Sequence, residues 1–258
     1  LCTVNFVFEY IKYRWKAKGR HGTHSPFIYK LVDECLRTPV EKEDAIRIKT
    51  LVHQLSKDRR VIQVSDFGAG SKTLKKERKI GDILRISSSK GRYARLFYKL
   101  TRFYKPEHIL EFGTSLGIGT IHFAKGKPNA SITTVEACPE TAKIAQKNFQ
   151  QTETDTITLV NKTFDTFLNE NELKSYDLIF IDGHHDGIAL LRYVDLLEPC
   201  MHDDTFLILD DIRWSDSMFG AWEQLCKDER FHVSVDLFRM GMLLKRSGQR
   251  KEHFVVKF

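Results

Sequence analysis

From residue 107 onward, short β-rich runs alternate with helical segments, and this alternation restricts the fold more than any other feature of the chain. HILEFG precedes a helical stretch over 117–126, SITTVEA one over 139–150 and TITLVN one over 163–171. YDLIFIDG leads into 186–197, TFLILDD into 216–228, and FHVSVDLF and MGMLLKRS close the series. Strands joined by helical crossovers of this length lie parallel, so the spacing predicts an α/β fold, a doubly wound and mostly parallel sheet of seven strands. The last pair differs. Its turn, around residues 239–241, is too short for a helical crossover, which makes these two strands antiparallel.

The first hundred residues show apolar positions three or four apart, which predicts helices over 3–18, 26–37, 43–57 and 90–104. A length of 258 residues suits one α/β domain with an extension. The expected division is a helical N-terminal extension or cover over 1–84 and the main domain over 85–258. In HGTHSPFIYKLVDECLR, Ser25 can cap a helix whose first position is Pro26. His21 and His24 are assigned to that loop, because no partner for metal binding accompanies them.

Composition excludes several classes. The chain is 41% hydrophobic and 29% charged, and it has no apolar run near the roughly 20 residues that cross a bilayer. In LCTVNFVFEYIKYRWKAKG the basic residues follow the apolar ones and no small-residue cleavage site appears, so the expected location is cytoplasmic. Cys2, Cys35, Cys138, Cys200 and Cys226 lack the paired spacing of a zinc or disulfide framework and read as reduced thiols. A net charge of +7 would help the protein meet anions, nucleic acid included, and is equally compatible with a well-solvated surface. The densest basic run, KTLKKERK at 72–79, reads as a solvated face or mobile loop.

Two glycine loops compete for a nucleotide-like ligand. EFGTSLGIGT at 111–120 closes the first strand and opens a helix, so Gly113 and Gly117 can let backbone approach a ligand. The second strand ends in Glu136, near the roughly 20-residue spacing of a carboxylate that takes ribose hydroxyls. VSDFGAGS at 64–71 has no such context and reads as a turn or flap. The glycine spacing of EFGTSLGIGT is not G-x-G-x-x-G, which disfavours a dinucleotide.

With this loop the sequence resembles the class I S-adenosylmethionine-dependent methyltransferases, and more narrowly the metal-dependent O-methyltransferases of the catechol and caffeoyl-CoA type. EFGTSLGIGT is similar to their E-x-G-x-x-x-G loop and VEACPE to their acidic second motif, within a likeness spanning about 85–245. The resemblance implies a Rossmann-like fold and S-adenosyl-L-methionine as cofactor. It places Ile86, Ser87 and Ser88, in ISSSKGRYARLF, near the methionine portion. Glu111 would hold the amino group, with backbone at Gly113, Thr114 and Ser115 passing the amino-acid tail and Gly117 in the same cofactor loop. Glu136, followed by Ala137, would take the ribose, and Thr163 and Phe164 would border adenine, although NKTF departs from the commoner G-D-A pattern.

Asp182 ends the fourth strand, and Asp210 and Asp211 end the fifth, so these carboxylates could converge on a hard cation. The resemblance implies a divalent ion such as magnesium, held in the family by Asp, Asp and Asn; here Asp211 replaces the Asn. The competing reading makes Asp210 and Asp211 simple caps of nearby backbone. His185 lies where the catechol-type enzymes have a lysine that helps deprotonate the acceptor, and a histidine accepts a proton near neutral pH. His184 is its competitor, and Asp182 borders the same chemistry. Trp214 reads either as part of a cover or as packing.

The predicted activity is O-methyl transfer to a small hydroxylated acceptor. Nucleic acid is the rival acceptor, weakened because DGHHD stands where amino-directed enzymes carry an Asn/Asp-Pro-Pro-aromatic motif. A cofactor-binding protein without transfer activity is the non-enzyme alternative, and a homodimer is compatible with the sequence.

Overall fold

The computed structural model of the protein describes residues 6–19, 25–65, 77–87, 91–170 and 174–258. In chain order, α1 (Phe6–Lys16) is followed by α2 (Pro26–Lys30), which runs into a π-helical turn at Leu31–Leu36. Next come α3 (Lys42–Lys57), β1 (Val61–Gln63), β2 (Glu77–Lys79), α4 (Ile80–Ser87) and α5 (Gly91–Tyr104). Alternation then sets in with β3 (His108–Phe112), α6 (Ile118–Gly126), β4 (Ser131–Val135), α7 (Pro139–Gln151), β5 (Ile157–Val160) and α8 (Phe164–Glu170). It continues through β6 (Tyr176–Ile181), α9 (Gly187–Leu197), β7 (Met201–Leu209) and α10 (Asp216–Lys227), followed by β8 (Val233–Asp236), β9 (Gly241–Leu244) and β10 (Glu252–Val255).

Short polar residues set the helix starts. Ser25 accepts from the Ile28 N–H with Pro26 at the first position of α2, as the HGTHSPF motif predicts. His21 and His24 lie outside the described residues. Asp186 caps α9 by accepting from the Ala189 N–H at 2.9 Å, and Ser215 caps α10 through the Met218 N–H at 3.2 Å. α7 begins at Pro139, whose missing N–H costs nothing in a first turn.

The main sheet has the order β10-β8-β9-β7-β6-β3-β4-β5, and β1 pairs with β2 in a separate antiparallel ladder. The sheet is α/β and mostly parallel, but it has eight strands, a correction to the expected seven. The additional strand is β10, parallel to β8 with Glu252 opposite Val233. Its four residues lie at a sheet edge and are only partly buried, so they lack the apolar signature of an inner strand. The antiparallel pairing of β8 with β9 follows the sequence expectation.

The chain forms two compact units, Glu34–Asn171 and the combination of Leu1–Asp33 with Glu172–Phe258. In the first, β3, β4 and β5 run parallel, with Glu111 opposite Thr134. Phe97 of α5 stacks on Phe123 of α6 at 4.5 Å between ring centroids, and both are fully buried. Burying each such ring contributes on the order of 1.5–3 kcal/mol. In the second unit β6 pairs parallel with β7, and β7 antiparallel with β9. β6 and β9 are almost wholly buried, which explains their unbroken apolar sequences, LIFI and MLL. In the same unit the Tyr13 hydroxyl donates to the Val256 carbonyl at 2.6 Å and anchors α1.

Cys35, Cys138, Cys200 and Cys226 are free thiols, and Cys2 lies outside the described residues. No helix among the described residues is long and apolar enough to cross a membrane.

Candidate functional site

In the unit Glu34–Asn171, β3 delivers its last residues into a loop with unusual backbone. Gly113, Ser115 and Gly117 all have positive φ, at 102°, 50° and 79°. Gly117 is required twice over, since its φ is left-handed and a Cβ there would lie 2.4 Å from the Phe149 ring. The Asn148 side-chain amide donates to the Leu116 carbonyl at 2.8 Å, and the Gly113 N–H to the Val135 carbonyl at 3.0 Å. These bonds fix the loop at the N-terminus of α6, an end whose first-turn N–H groups favour anionic or polar ligand atoms.

Glu111 lies beneath this loop, 1% exposed. Its Oε2 accepts from the Thr120 hydroxyl at 2.5 Å and the Thr134 hydroxyl at 2.6 Å, and the Thr114 and Thr134 hydroxyls meet at 2.6 Å. Burial pushes the Glu111 carboxyl up to about 7, Glu136 adds to the rise, and the two threonine bonds oppose it. A carboxylate buried on neutral partners alone is stabilised by any cation that reaches it.

Glu136 is half-buried just past β4. Its Oε2 accepts from the Ser115 N–H at 2.8 Å and its Oε1 from the Cys138 N–H at 2.9 Å, so two backbone donors fix its plane. The Asn161 amide donates to the carbonyls of Glu136 and Ala137 at 2.7 and 3.2 Å and holds the strand end. Glu111, Gly113, Thr114, Ser115 and Glu136 are thus brought together.

Other expected residues are placed differently. Thr163 caps α8 through the Thr166 N–H, and the Phe164 ring is stacked on Phe112 at 4.6 Å between centroids, within the core. Ile86, 60% exposed, lies near the end of α4. Ser88 and residues 66–76, which hold most of VSDFGAGS and KTLKKERK, lie outside the described residues. The Ser65 N–H donates to Cys138 Sγ at 3.5 Å, so the start of VSDFGAGS lies beside the loop that carries Glu136.

The acids belong to the second unit. Asp182 is half-buried beyond β6, and Asp210 and Asp211 follow β7. The Asp210 side chain has no exposed surface, and burial pushes its carboxyl up to about 6, with the charge of Asp211 adding to the rise. Arg239 answers this charge. Its Nε donates to Asp210 Oδ1 at 3.1 Å, its second guanidinium nitrogen to Asp210 Oδ2 at 2.9 Å, and Nε lies 2.8 Å from Asp211 Oδ1. Burial lowers the Arg239 pKa, but the carboxylates of Asp210, Asp211 and Asp182 raise it to a net upward shift. Among the described residues no group of three His, Cys, Asp or Glu side chains is arranged to hold a metal.

The two histidines part company in the DGHHD loop. Both have positive φ. His184 Nδ1 lies 3.1 Å from the Tyr193 hydroxyl of α9, whereas the His185 ring lies 5.0 Å from that of Trp214, just after Asp211. Trp214 is 64% exposed, so it is not core packing.

A parallel sheet with a glycine loop after its first strand and an acid after its second is the arrangement in which doubly wound α/β folds bind nucleotide-like ligands. Residues 110–212 match the model of a family described as a methyltransferase domain. No match is found among curated proteins. Solved structures share the fold. One is the O-methyltransferase of Bacillus cereus in complex with SAH, at 17% identity and a TM-score of 0.54, covering 64% of this chain and 89% of that one. Another is an SAH-bound methyltransferase of Podospora anserina, at 16% identity and TM-score 0.55, covering 81% and 97%. A third is an O-methyltransferase of Streptomyces achromogenes involved in tomaymycin synthesis, in complex with SAM, at 12% identity and TM-score 0.55, covering 84% and 94%.

The sequence reading passed over Thr120, Thr134 and Arg239 as participants. Thr134 carried a usable signal, since SITTV places it opposite Glu111 once the strands pair in register. Arg239 carried none beyond its place in a short turn.

Proposed function

We propose that the protein transfers a methyl group from S-adenosylmethionine to the oxygen of a small hydroxylated molecule. The observation that carries this reading is the loop from Gly113 to Gly117, with positive φ at Gly113, Ser115 and Gly117 and the Ser115 N–H tied to Glu136. In the proposal Glu111 faces the methionine amino group, backbone at Gly113, Thr114 and Ser115 passes the amino-acid tail, and Glu136 and Ala137 serve the ribose. Thr163 and Phe164 border adenine through backbone, since their side chains have structural partners. Ile86, Ser87 and Ser88 border the methionine, and residues 1–84 act as a cover that keeps bulk water from the acceptor.

Transfer proceeds in line: the acceptor oxygen forms the new C–O bond as the C–S bond breaks, leaving the neutral thioether. The hydroxyl proton passes to the His185 imidazole, a side-chain type suited to general-base work, and Asp182 orients that hydroxyl. The role of His185 rests on its place beside Trp214, whereas His184 is engaged by Tyr193. The remaining acceleration comes from alignment of donor and acceptor.

A divalent cation on Asp182, Asp210 and Asp211 belongs to the same family resemblance, but the donor set does not fit one. Both Asp210 oxygens and one Asp211 oxygen already face the Arg239 guanidinium.

Calorimetric titration with S-adenosylhomocysteine tests the reading. One site is expected per chain, weakened by about 10- to 100-fold in Glu136→Ala, the effect of losing roughly 1.4–2.8 kcal/mol. Absence of binding to the native chain removes the proposal. Binding without turnover on any phenol or alcohol tested would favour a cofactor-binding protein instead.

A further inference from the structure

We propose that Arg239 takes the place of a divalent cation among Asp182, Asp210 and Asp211, so that methyl transfer runs without metal and on acceptors that offer a single hydroxyl. This inference rests on the functional reading above. Three carboxylates follow the ends of two neighbouring parallel strands, β6 and β7. Such a group needs a positive counter-charge, and the chain supplies it from the turn between β8 and β9. The turn is built for the task. The Arg239 carbonyl accepts from the Ile212 N–H at 3.0 Å, and the Leu237 N–H donates to the Met240 carbonyl at 2.9 Å, so backbone bonds fix the arginine beside the residues that follow β7.

A guanidinium suits this position because it is planar, always charged and more weakly hydrated than an ammonium, and its fork matches a carboxylate with two parallel bonds. Asp210 receives that fork while its side chain is wholly buried.

The replacement changes which acceptors can be used. A metal binds the acceptor oxygen directly, lowers its pKa and selects substrates whose neighbouring oxygens chelate it. A guanidinium offers no coordination position, so a vicinal pair of oxygens gains nothing. Deprotonation then falls to His185, and positioning to a hydrogen bond from one acceptor hydroxyl to Asp182.

Mn²⁺ titration of the full chain, followed by electron paramagnetic resonance, tests the inference separately from S-adenosylhomocysteine binding. The native protein and Arg239→Lys are expected to bind no Mn²⁺ up to about 1 mM, the weak end of carboxylate sites. Arg239→Ala, with the guanidinium removed, is expected to gain one site at least about tenfold tighter. Turnover on a monohydroxylated phenol should stay within about twofold when EDTA is added. One Mn²⁺ bound to the native chain and lost in Asp210→Asn would overturn the inference, as would a folded Arg239→Ala that binds none. The native titration decides alone should Arg239→Ala fail to fold. Loss of S-adenosylhomocysteine binding with the expected Mn²⁺ results would instead strike the functional reading and leave the arginine in its place.

Discussion

Two strand ends of this protein bury a carboxylate and treat it in opposite ways. At the end of β3, Glu111 is 1% exposed and is met by the hydroxyls of Thr120 and Thr134. Just past β7, Asp210 is 2% exposed and is met by the guanidinium of Arg239. Burial raises both pKa values, to about 7 and about 6. The difference lies in the source of the counter-charge. Asp210 has a cation provided by the chain, while Glu111 has neutral hydroxyls that orient it without neutralising it. A buried acid left on neutral partners is suited to a cationic ligand, and in the proposed function the ammonium group of the methyl donor supplies that charge. Where the chain brings its own cation, no incoming ion is needed.

The largest effect that could break this comparison is expected at Gly117, in the loop that lies over Glu111. Gly117→Ala places a side chain at φ 79° and against Phe149, and should cost about 2–5 kcal/mol of stability in urea denaturation. A loss under about 1 kcal/mol would show that the loop tolerates other conformations.

Next in size is the pH dependence of ligand affinity. The folded pKa of Glu111 lies above its ordinary value of 4.5, so its contribution to stability is whole below pH 4.5 and is lost as pH rises through about 7. A bound ammonium favours the ionised form, which reverses the sign for the complex. S-adenosylhomocysteine should therefore bind about tenfold more tightly at pH 8 than at pH 6, measured by calorimetry, and Glu111→Gln should flatten this trend. A flat native profile would separate Glu111 from the amino group.

The smallest effect sharpens the other side. Asp186→Ala removes the cap of α9 and should cost about 1 kcal/mol of stability, with S-adenosylhomocysteine affinity unchanged. A change in that affinity would mean that the DGHHD loop serves the cofactor as well.

Much of the fold was legible because its signals are local. Apolar runs of strand length alternating with helical periods fix a parallel sheet without knowledge of any contact, and Ser25 and Pro26 mark their helix start. The eighth strand was not legible, since β10 is short, half-exposed and recognisable only through its pairing with β8. β1 and β2 were missed for a related reason: ERK has no strand character in sequence and is recognisable only through its pairing with VIQ.

The site divides along the same line. Gly113, Gly117, Glu111 and Glu136 could be named from the sequence because a turn before a helix requires glycine, and because the acids follow the strands at a fixed spacing. The side-chain partners of Thr163 and Phe164, a helix cap and a stacked ring, became visible only in three dimensions.

The sequence by itself determined the order of strands and helices, the position of the glycine loop and the presence of three acids after two strands, all properties of neighbouring residues. Only the tertiary structure decided how those acids are neutralised. Arg239 reaches Asp210 through the pairing of β9 with β7 and the turn before it, and an attraction between residues distant in the chain exists only once the backbone has brought the charges within about 3 Å.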